Sequence, residues 1–181
     1  MFMEYIGRFS LGNKVMVSDP CYCINALDQG VLENVREGFW DAYIKTSDEG
    51  EGGMRVSELV AINLDYNSEY NELNSEDINE RQLFVVGVDS DAAGIFDYDY
   101  YCKYHNETNI DNEWYNNQVV DQFFSPLAPM EWKKSIFTEF NGVASTTGYG
   151  NGNYVCYVAR NTEGEIIGIK IVYISDEFND E

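Results

Sequence analysis

Three short segments carry side chains able to bind or react, next to glycine or proline, at the ends of predicted strands. They are 17–22 (Val-Ser-Asp-Pro-Cys-Tyr), 87–97, which contains Asp-Ser-Asp-Ala-Ala-Gly-Ile-Phe-Asp, and 145–154, which contains Gly-Tyr-Gly-Asn-Gly. Loops that a rigid sheet positions often hold binding and catalytic side chains. The candidate functional residues of this protein therefore lie in these three loops.

A ligand-binding cleft is the function that these loops favour. Carboxylate, hydroxyl and amide groups can orient a polar ligand, and tyrosine rings can stack on a base or a sugar. We predict a non-catalytic binding protein for a small polar ligand, with a nucleotide-like signal as one candidate and with no cofactor. The predicted ligand-binding residues are Asp19, Tyr22, Asp89, Ser90, Tyr149 and Asn151.

The glycine-rich run 148–152 allows two interpretations. Its backbone N–H groups could form an anion-binding nest, but phosphate loops of this kind normally add a lysine and open a helix. Here a strand follows, and the nearest basic residue downstream is Arg160. A hairpin tip or β-bulge is the alternative, and we favour it.

The middle segment partly matches a calcium-binding loop. Asp89, Asp91, Gly94 and Asp97 have the spacing of EF-hand positions 1, 3, 6 and 9. Position 12, however, is Tyr100 where the EF-hand needs a bidentate glutamate. A tight turn stabilised by its own side chains explains the same residues, so no metal site is predicted.

Catalysis is a weaker alternative. Asp19 and Asp89 could act as the paired carboxylates of a hydrolase, or they could simply hydrogen-bond turn amides. His105 is the single histidine and lies in a polar run, which makes a nucleophile–histidine pair improbable. Cys21 has no cationic neighbour in the sequence to lower its thiol pKa, so we interpret it as a structural thiol. No catalytic residue is assigned.

The formal net charge of −21 excludes some classes of partner. A uniformly negative surface repels phosphate, so we predict neither direct nucleic-acid binding nor membrane binding. Between residues 65 and 121 there are 14 acidic residues and two basic ones. Such a density could imitate a nucleic-acid backbone and inhibit a basic-groove host protein, or it could merely keep the protein soluble.

The compartment is predicted from what the N-terminus contains. Met1 to Tyr5 (Met-Phe-Met-Glu-Tyr) includes neither the basic region nor the apolar stretch of a secretory signal. We therefore expect a cytoplasmic protein, in which the four cysteines are reduced thiols. The oligomeric state is left open.

Hydrophobic patterning predicts the elements that position these loops. Segments 5–11 and 14–18 read as a β-hairpin turned by Gly12-Asn13, and 154–160 and 165–174 as another turned by 161–164. Segments 31–35, 39–46 and 55–66 read as further strands, and 83–88 as a buried one. Amphipathic spacing predicts helices over 114–124 and 129–140.

Strands on both sides of two helices indicate an α+β fold. We predict a single domain, 1–181, built on a mainly antiparallel sheet with two short helices. Residues 67–82 are expected to be a polar excursion and 176–181 an acidic tail.

At the three loops the chain resembles a family of short bacterial and phage proteins whose members form a domain of unknown function. The shared features are a Ser-Asp-Pro-Cys-Tyr turn, an Asp-Ser-Gly-Gln-Ala-Gly-Ile-Phe-Asp segment and a Gly-Tyr-Gly-Asp-Gly-x-Tyr hairpin, and the resemblance covers most of the chain. This sequence has Asp91 and Ala92 in place of Gly-Gln, and Asn151 in place of Asp. The resemblance implies no established activity. A phage or mobile-element origin would fit a protein that sequesters a host signal.

Overall fold

The structure, a computed structural model, describes residues 2–66, 81–104, 134–137 and 141–175. Within these ranges the chain forms eleven strands and one α-helix, with short 3-10 turns at Gly50–Gly52 and Leu64–Tyr66. The elements in chain order are β1 (Phe2–Leu11), β2 (Lys14–Ser18), β3 (Gly30–Glu33), β4 (Gly38–Asp48), β5 (Met54–Asn63), β6 (Arg81–Val88), β7 (Ala92–Asp97), α1 (Tyr98–Tyr104), β8 (Lys134–Phe137), β9 (Gly142–Thr146), β10 (Gly152–Arg160) and β11 (Ile166–Val172).

The strands form two antiparallel sheets. One has six strands in the order β1-β4-β5-β11-β10-β6, and the other has five in the order β3-β2-β7-β9-β8. The chain passes from one sheet to the other at 12–13, 34–37, 89–91 and 147–151. The last two of these crossings lie within the second and third candidate loops.

The main core lies between the sheets and follows the period-two alternation of the strands. Trp40, Ala42 and Ile44 of β4 point into it and are fully buried. Val15 and Val17 of β2 join the same cluster from the other sheet. Because successive strand residues face opposite sides, this pattern fixes which face of each sheet is internal.

A second, smaller cluster covers the outer face of the five-stranded sheet. It contains Met16, Phe96, Tyr101 and two alanines, so α1 packs on the side of β2 and β7 that faces away from the main core. Phe96 needs glycine beside it, because a Cβ on Gly94 would meet its ring at 2.4 Å. β7 therefore supplies both Phe96, which belongs to the same buried cluster as Tyr101 of α1, and the glycine that leaves room for the Phe96 ring.

The predicted N-terminal hairpin is wrong. β1 pairs with β4, whereas β2 pairs with β3 and β7 in the other sheet. Neither Gly12 nor Asn13 adopts the positive φ that a two-residue hairpin turn requires. Instead, the Gly12 N–H donates to Asp97 Oδ2 at 2.8 Å and the Asn13 carbonyl accepts from Val35 N–H. The dipeptide forms a corner between sheets.

Two other hairpins have the predicted strands. β10 and β11 pair antiparallel around the turn at 161–164, where the Gly164 N–H donates to the Asn161 carbonyl. β4 and β5, which match the predicted strands 39–46 and 55–66, pair around an acidic, glycine-rich connection at 49–53. The fold is thus mainly antiparallel, as the sequence predicts.

The helix predictions need correction. The segment 114–124 lies outside the described residues. Within 129–140, Lys134–Phe137 is strand β8, paired with β9, because a four-residue segment beside an open sheet edge gains more from pairing than from one helical turn. The described helix is α1, which follows β7 directly and was not predicted.

The strand predicted to be buried over 83–88 lies at the edge of its sheet, where Val86 and Val88 are buried on one face only. β6 pairs only with β10 among the described strands, and Leu83 and Val85 remain 43% and 40% exposed. The polar excursion overlaps β6 at its last two residues, and both its remainder, 67–80, and the tail, 176–181, lie outside the described residues. None of the helical segments in the described part of the chain is both long and apolar enough to cross a membrane.

Replacing Tyr101 by phenylalanine tests whether α1 fixes the first candidate loop. The buried Tyr101 hydroxyl donates to the Tyr22 carbonyl at 2.6 Å and lies 3.1 Å from the Asp19 carbonyl. Removing it takes the donor away from the Tyr22 carbonyl, while the Asp19 carbonyl still accepts from the Tyr22 N–H and the Ser18 hydroxyl. Tyr101→Phe should therefore lower the free energy of unfolding by about 1–2 kcal/mol in urea denaturation. Tyr100→Phe, the same change on the neighbouring exposed residue, should change it by less than about 0.5 kcal/mol. Equal effects would contradict this role.

Candidate functional site

The three candidate loops meet at one end of the two sheets. β2 ends at Ser18, and the crossing from β6 to β7 and the crossing from β9 to β10 reach the same end. The two crossings touch, since the Thr147 N–H donates to the Asp91 carbonyl at 3.1 Å. Segments far apart in sequence thus form one corner.

Asp19 holds this corner together. Its side chain is fully buried, and Oδ2 accepts from the backbone N–H groups of Asp89 (2.9 Å) and Ser90 (2.8 Å). Oδ1 accepts from the Ser90 hydroxyl (2.6 Å) and from the Cys21 N–H (2.8 Å). Four donors replace the water that the carboxylate loses on burial, so the residue ties the first loop to the second.

The loop after Asp19 folds back against the edge of β6. Gln29 Nε2 donates to Ser18 Oγ and to the Cys23 carbonyl, both at 2.9 Å. One residue before Gln29, the Asp28 carbonyl accepts from the Gly87 N–H at 3.0 Å. A Cβ on Gly87 would meet the Asp28 Cβ at 2.8 Å, so only glycine allows this close approach.

Between this loop and the ends of β6 and β10 there is an open cleft of about 570 Å³. This volume lies within the range typical of small-molecule sites. The cleft combines carboxylate, amide, phenol and aliphatic groups. It is lined by Tyr22, Ala26, Leu27, Asp28, Gly87, Val88, Asp89, Asn151, Gly152 and Asn153.

Tyr22 and Asp89 form a fixed pair on the cleft wall. The Tyr22 hydroxyl donates to Asp89 Oδ2 at 2.7 Å. The pKa of Tyr22 is raised well above its usual value, chiefly by burial and then by the hydrogen bond to Asp89 and the negative charges of Asp89, Asp19 and Asp28. Tyr22 is therefore a neutral hydrogen-bond donor at physiological pH.

Asn151 links the third loop to the second. With its amide nitrogen turned toward the neighbouring acceptors, it donates to the Asp89 carbonyl (2.8 Å) and to Asp91 Oδ1 (2.5 Å). An aspartate here would place two carboxylates in contact. Asp91 and Asn151 are thus hydrogen-bond partners that join the second and third loops.

The loops around the cleft contain unusual backbone conformations. Asn25, Asp28 and Asp91 all have φ between +61° and +66°. Asparagine and aspartate tolerate this left-handed region better than other non-glycine residues, but it still has an energetic cost. Such conformations tend to occur at functional sites because the surrounding contacts enforce them.

Tyr149 lies elsewhere. Its ring is 59% exposed, its hydroxyl donates to Glu49 Oε2 at 2.9 Å, and the Arg55 guanidinium lies 4.9 Å from the ring centroid. The hydrogen bond to Glu49 raises the Tyr149 pKa. The ring borders a second cavity of about 560 Å³, which shares Asn153 with the cleft.

The six predicted residues therefore have different positions. Tyr22, Asp89 and Asn151 line the cleft, Asp19 and Ser90 hold its frame from behind, and Tyr149 faces the neighbouring cavity. The loop 26–28 was not predicted from the sequence, and Gly87, although it begins the second candidate segment, was not predicted to line the site. An isolated glycine within the apolar strand β6 was the available signal, because it indicates close approach of another backbone.

The chemistry available at the corner is hydrogen bonding. The pKa of Cys21 is raised to about 11, first by burial and then by the charge of Asp19, so the thiol is neutral and weakly nucleophilic at pH 7. Among the described residues, no three histidine, cysteine, aspartate or glutamate side chains are grouped as metal ligands would be. The cleft can orient a ligand through Tyr22, Asp89 and the asparagines.

Replacing Asp19 by asparagine tests the corner. One carboxylate oxygen becomes an NH₂ group facing N–H or O–H donors, so at least one buried donor loses its acceptor. We expect Asp19→Asn to lower the free energy of unfolding by about 2–4 kcal/mol. Asp89→Asn, a matched change on the exposed neighbour whose amide oxygen can still accept from Tyr22, should cost less than about 1 kcal/mol. Chemical denaturation of both variants checks this, and a tolerated Asp19→Asn would contradict it.

Comparison with known proteins identifies a family and little beyond it. No curated protein and no solved structure matches the chain. A family described as "Protein of unknown function (DUF4241)" matches residues 11–171, which include all three loops. The chain belongs to this family.

Proposed function

We propose that this protein binds a small polar ligand in the cleft beside Asp89 and does not transform it chemically. The observation that carries the proposal is the buried Asp19 carboxylate, whose hydrogen bonds fix the loops around a cleft of suitable size. Binding groups held in place before the ligand arrives lose little conformational entropy on binding.

The positions of the polar groups support binding. Tyr22 is held by Asp89 through its hydroxyl and by Tyr101 through its carbonyl. Asn151 is held by Asp89 and Asp91. These side chains need not reorganise when a ligand enters, and the aliphatic Leu27, 85% exposed, leaves apolar surface to be covered.

The hydrolase alternative has less support. Of the two carboxylates it needs, Asp19 has no exposed surface, and both of its oxygens already accept hydrogen bonds from the protein. A general base must reach the proton that it removes, directly or through one water molecule. Asp89 alone lacks a second carboxylate in the role that the alternative assigned to Asp19.

The proposed role, in a phage or mobile-element setting, is to sequester a host signal in the cytoplasm. A nucleotide-like signal would place a base against an aromatic ring. Tyr149 is the exposed ring near the corner, but it borders the adjoining cavity, so such a ligand would have to extend past Asn153.

An acidic decoy for a basic protein remains a second candidate because of the net charge of −21. Replacing Glu69, Glu72 and Glu76 by glutamine separates the two proposals. If these acids only keep the protein soluble, ligand binding should be unchanged. For a decoy, the same variant should lose its basic partner in a pull-down from bacterial lysate, and the salt dependence of binding should flatten. We expect the first outcome.

Native mass spectrometry of the freshly purified full chain tests the proposed function. We expect a small-molecule adduct that is released on denaturation. Ala26→Trp, which places a large side chain at the cleft, should remove most of the adduct, whereas Thr162→Trp, in the exposed turn at the far end of β10, should retain it. An adduct that survives in the cleft variant would refute the assignment of the site.

A further inference from the structure

We infer that the cleft selects a small organic cation, bearing ammonium or guanidinium groups on a short aliphatic chain, over phosphate-bearing ligands. This inference rests on the proposed function, because it concerns the same cleft and names the chemical class of its ligand, and it replaces the nucleotide-like candidate with a cationic one. The cavity defines the site, and the groups on its wall decide which ligands it accepts.

The wall carries negative charge. Asp28 and Asp89 contribute two carboxylates, and among the described residues none that lines the cleft is lysine, arginine or histidine. Asp19, buried directly behind Asp89, adds a third charge of the same sign. A phosphate group entering this cleft would meet repulsion, while an ammonium group would be attracted.

Arg55, a basic residue that contacts the third loop, makes its contacts outside the cleft. Arg55 donates to the Gly52 and Gly148 carbonyls and lies over the Tyr149 ring, which borders the adjoining cavity. Its charge is therefore held beside Gly148 and Tyr149, which do not line the cleft. Nothing in these contacts turns the guanidinium toward the cleft.

The carboxylate oxygens on the cleft wall also favour a cationic ligand, because they accept hydrogen bonds. No N–H or O–H group of the described residues donates to the Asp28 carboxylate, and Tyr22 occupies only Oδ2 of Asp89. Both acids are solvent-exposed and offer acceptor oxygens to the cleft. A ligand rich in donors satisfies these acceptors, whereas a ligand rich in acceptors does not.

The negative charges that act on Tyr22 also favour a cationic ligand. Besides burial and its hydrogen bond, the pKa of Tyr22 is raised by the charges of Asp89, Asp19 and Asp28 together. Three separate carboxylates therefore act on one hydroxyl on the cleft wall. Ala26, Leu27 and Val88 supply the apolar surface that an aliphatic chain between two cationic groups would cover.

Three probes with the same four-carbon chain test the inference on the full protein. They are 1,4-diaminobutane, which is doubly positive, 1,4-butanediol, which is neutral, and succinate, which is doubly negative. Titrations followed by amide chemical shifts locate any binding. We expect the diamine to shift the resonances of Tyr22, Gly87 and Asn151 with saturation, and the diol and succinate to bind at least about tenfold more weakly.

Two variants and a matched control separate the cleft from the general charge of the protein. Asp28→Asn and Asp89→Asn should each weaken diamine binding by about three- to tenfold, the range for partly exposed ion pairs with hydrogen bonds. Asparagine keeps the size of the side chain and tolerates the φ of +63° at position 28. Glu163→Gln removes the same charge from the exposed β10–β11 turn and should leave the affinity unchanged.

Each other outcome overturns the inference. Equal or tighter binding of the diol or succinate at the cleft would refute the selection of cations but leave a ligand-binding cleft. Diamine shifts scattered over the surface, or weakened equally by Glu163→Gln, would show general attraction to an acidic protein. No diamine binding at all would also refute the inference. Native mass spectrometry tests the proposed function separately, because detection of an adduct does not depend on the charge of the ligand.

Discussion

The buried carboxylate of Asp19 is the interaction on which the rest of the site depends. An ionised group without water is strongly unfavourable unless donors surround it. Here the backbone N–H groups of Asp89 and Ser90, the Ser90 hydroxyl and the Cys21 N–H all point to it. Because three of these four donors belong to the crossing from β6 to β7, satisfying the carboxylate also fixes the corner between the two sheets.

Several features of the cleft follow from that corner. With the first loop anchored at Asp19, its remainder returns along β6 and the Asp28 carbonyl meets the Gly87 N–H. This contact covers one backbone group of an edge strand, which would otherwise be open to pairing with another chain. The gap left between loop and strand ends is the cleft, with Tyr22 and Asp89 on its wall. The same contacts that stabilise the fold thus shape the proposed binding site.

The fold places part of the negative charge of the chain at the cleft. A net charge of −21 by itself describes solubility and the partners that are repelled. The fold brings the charges of Asp19, Asp28 and Asp89 to act on one tyrosine hydroxyl, and Arg55 contacts Gly148 and Tyr149, which do not line the cleft. A local negative field beside apolar surface discriminates between ligands of the same size, which overall charge cannot do.

Local patterns determined part of this protein. The alternation of Trp40, Ala42 and Ile44 and the turn at 161–164 predicted strands and a hairpin that the structure contains, because side-chain period and turn chemistry act over few residues. Tertiary structure decided the rest. Gly12-Asn13 suits a hairpin or a corner equally well, and the acceptor on Asp97 selects the corner. Likewise, pairing with β9 makes Lys134–Phe137 a strand, and burial turns Asp19 from a predicted ligand contact into the support of the site. These outcomes depend on partners distant in the chain, whose positions no local pattern encodes.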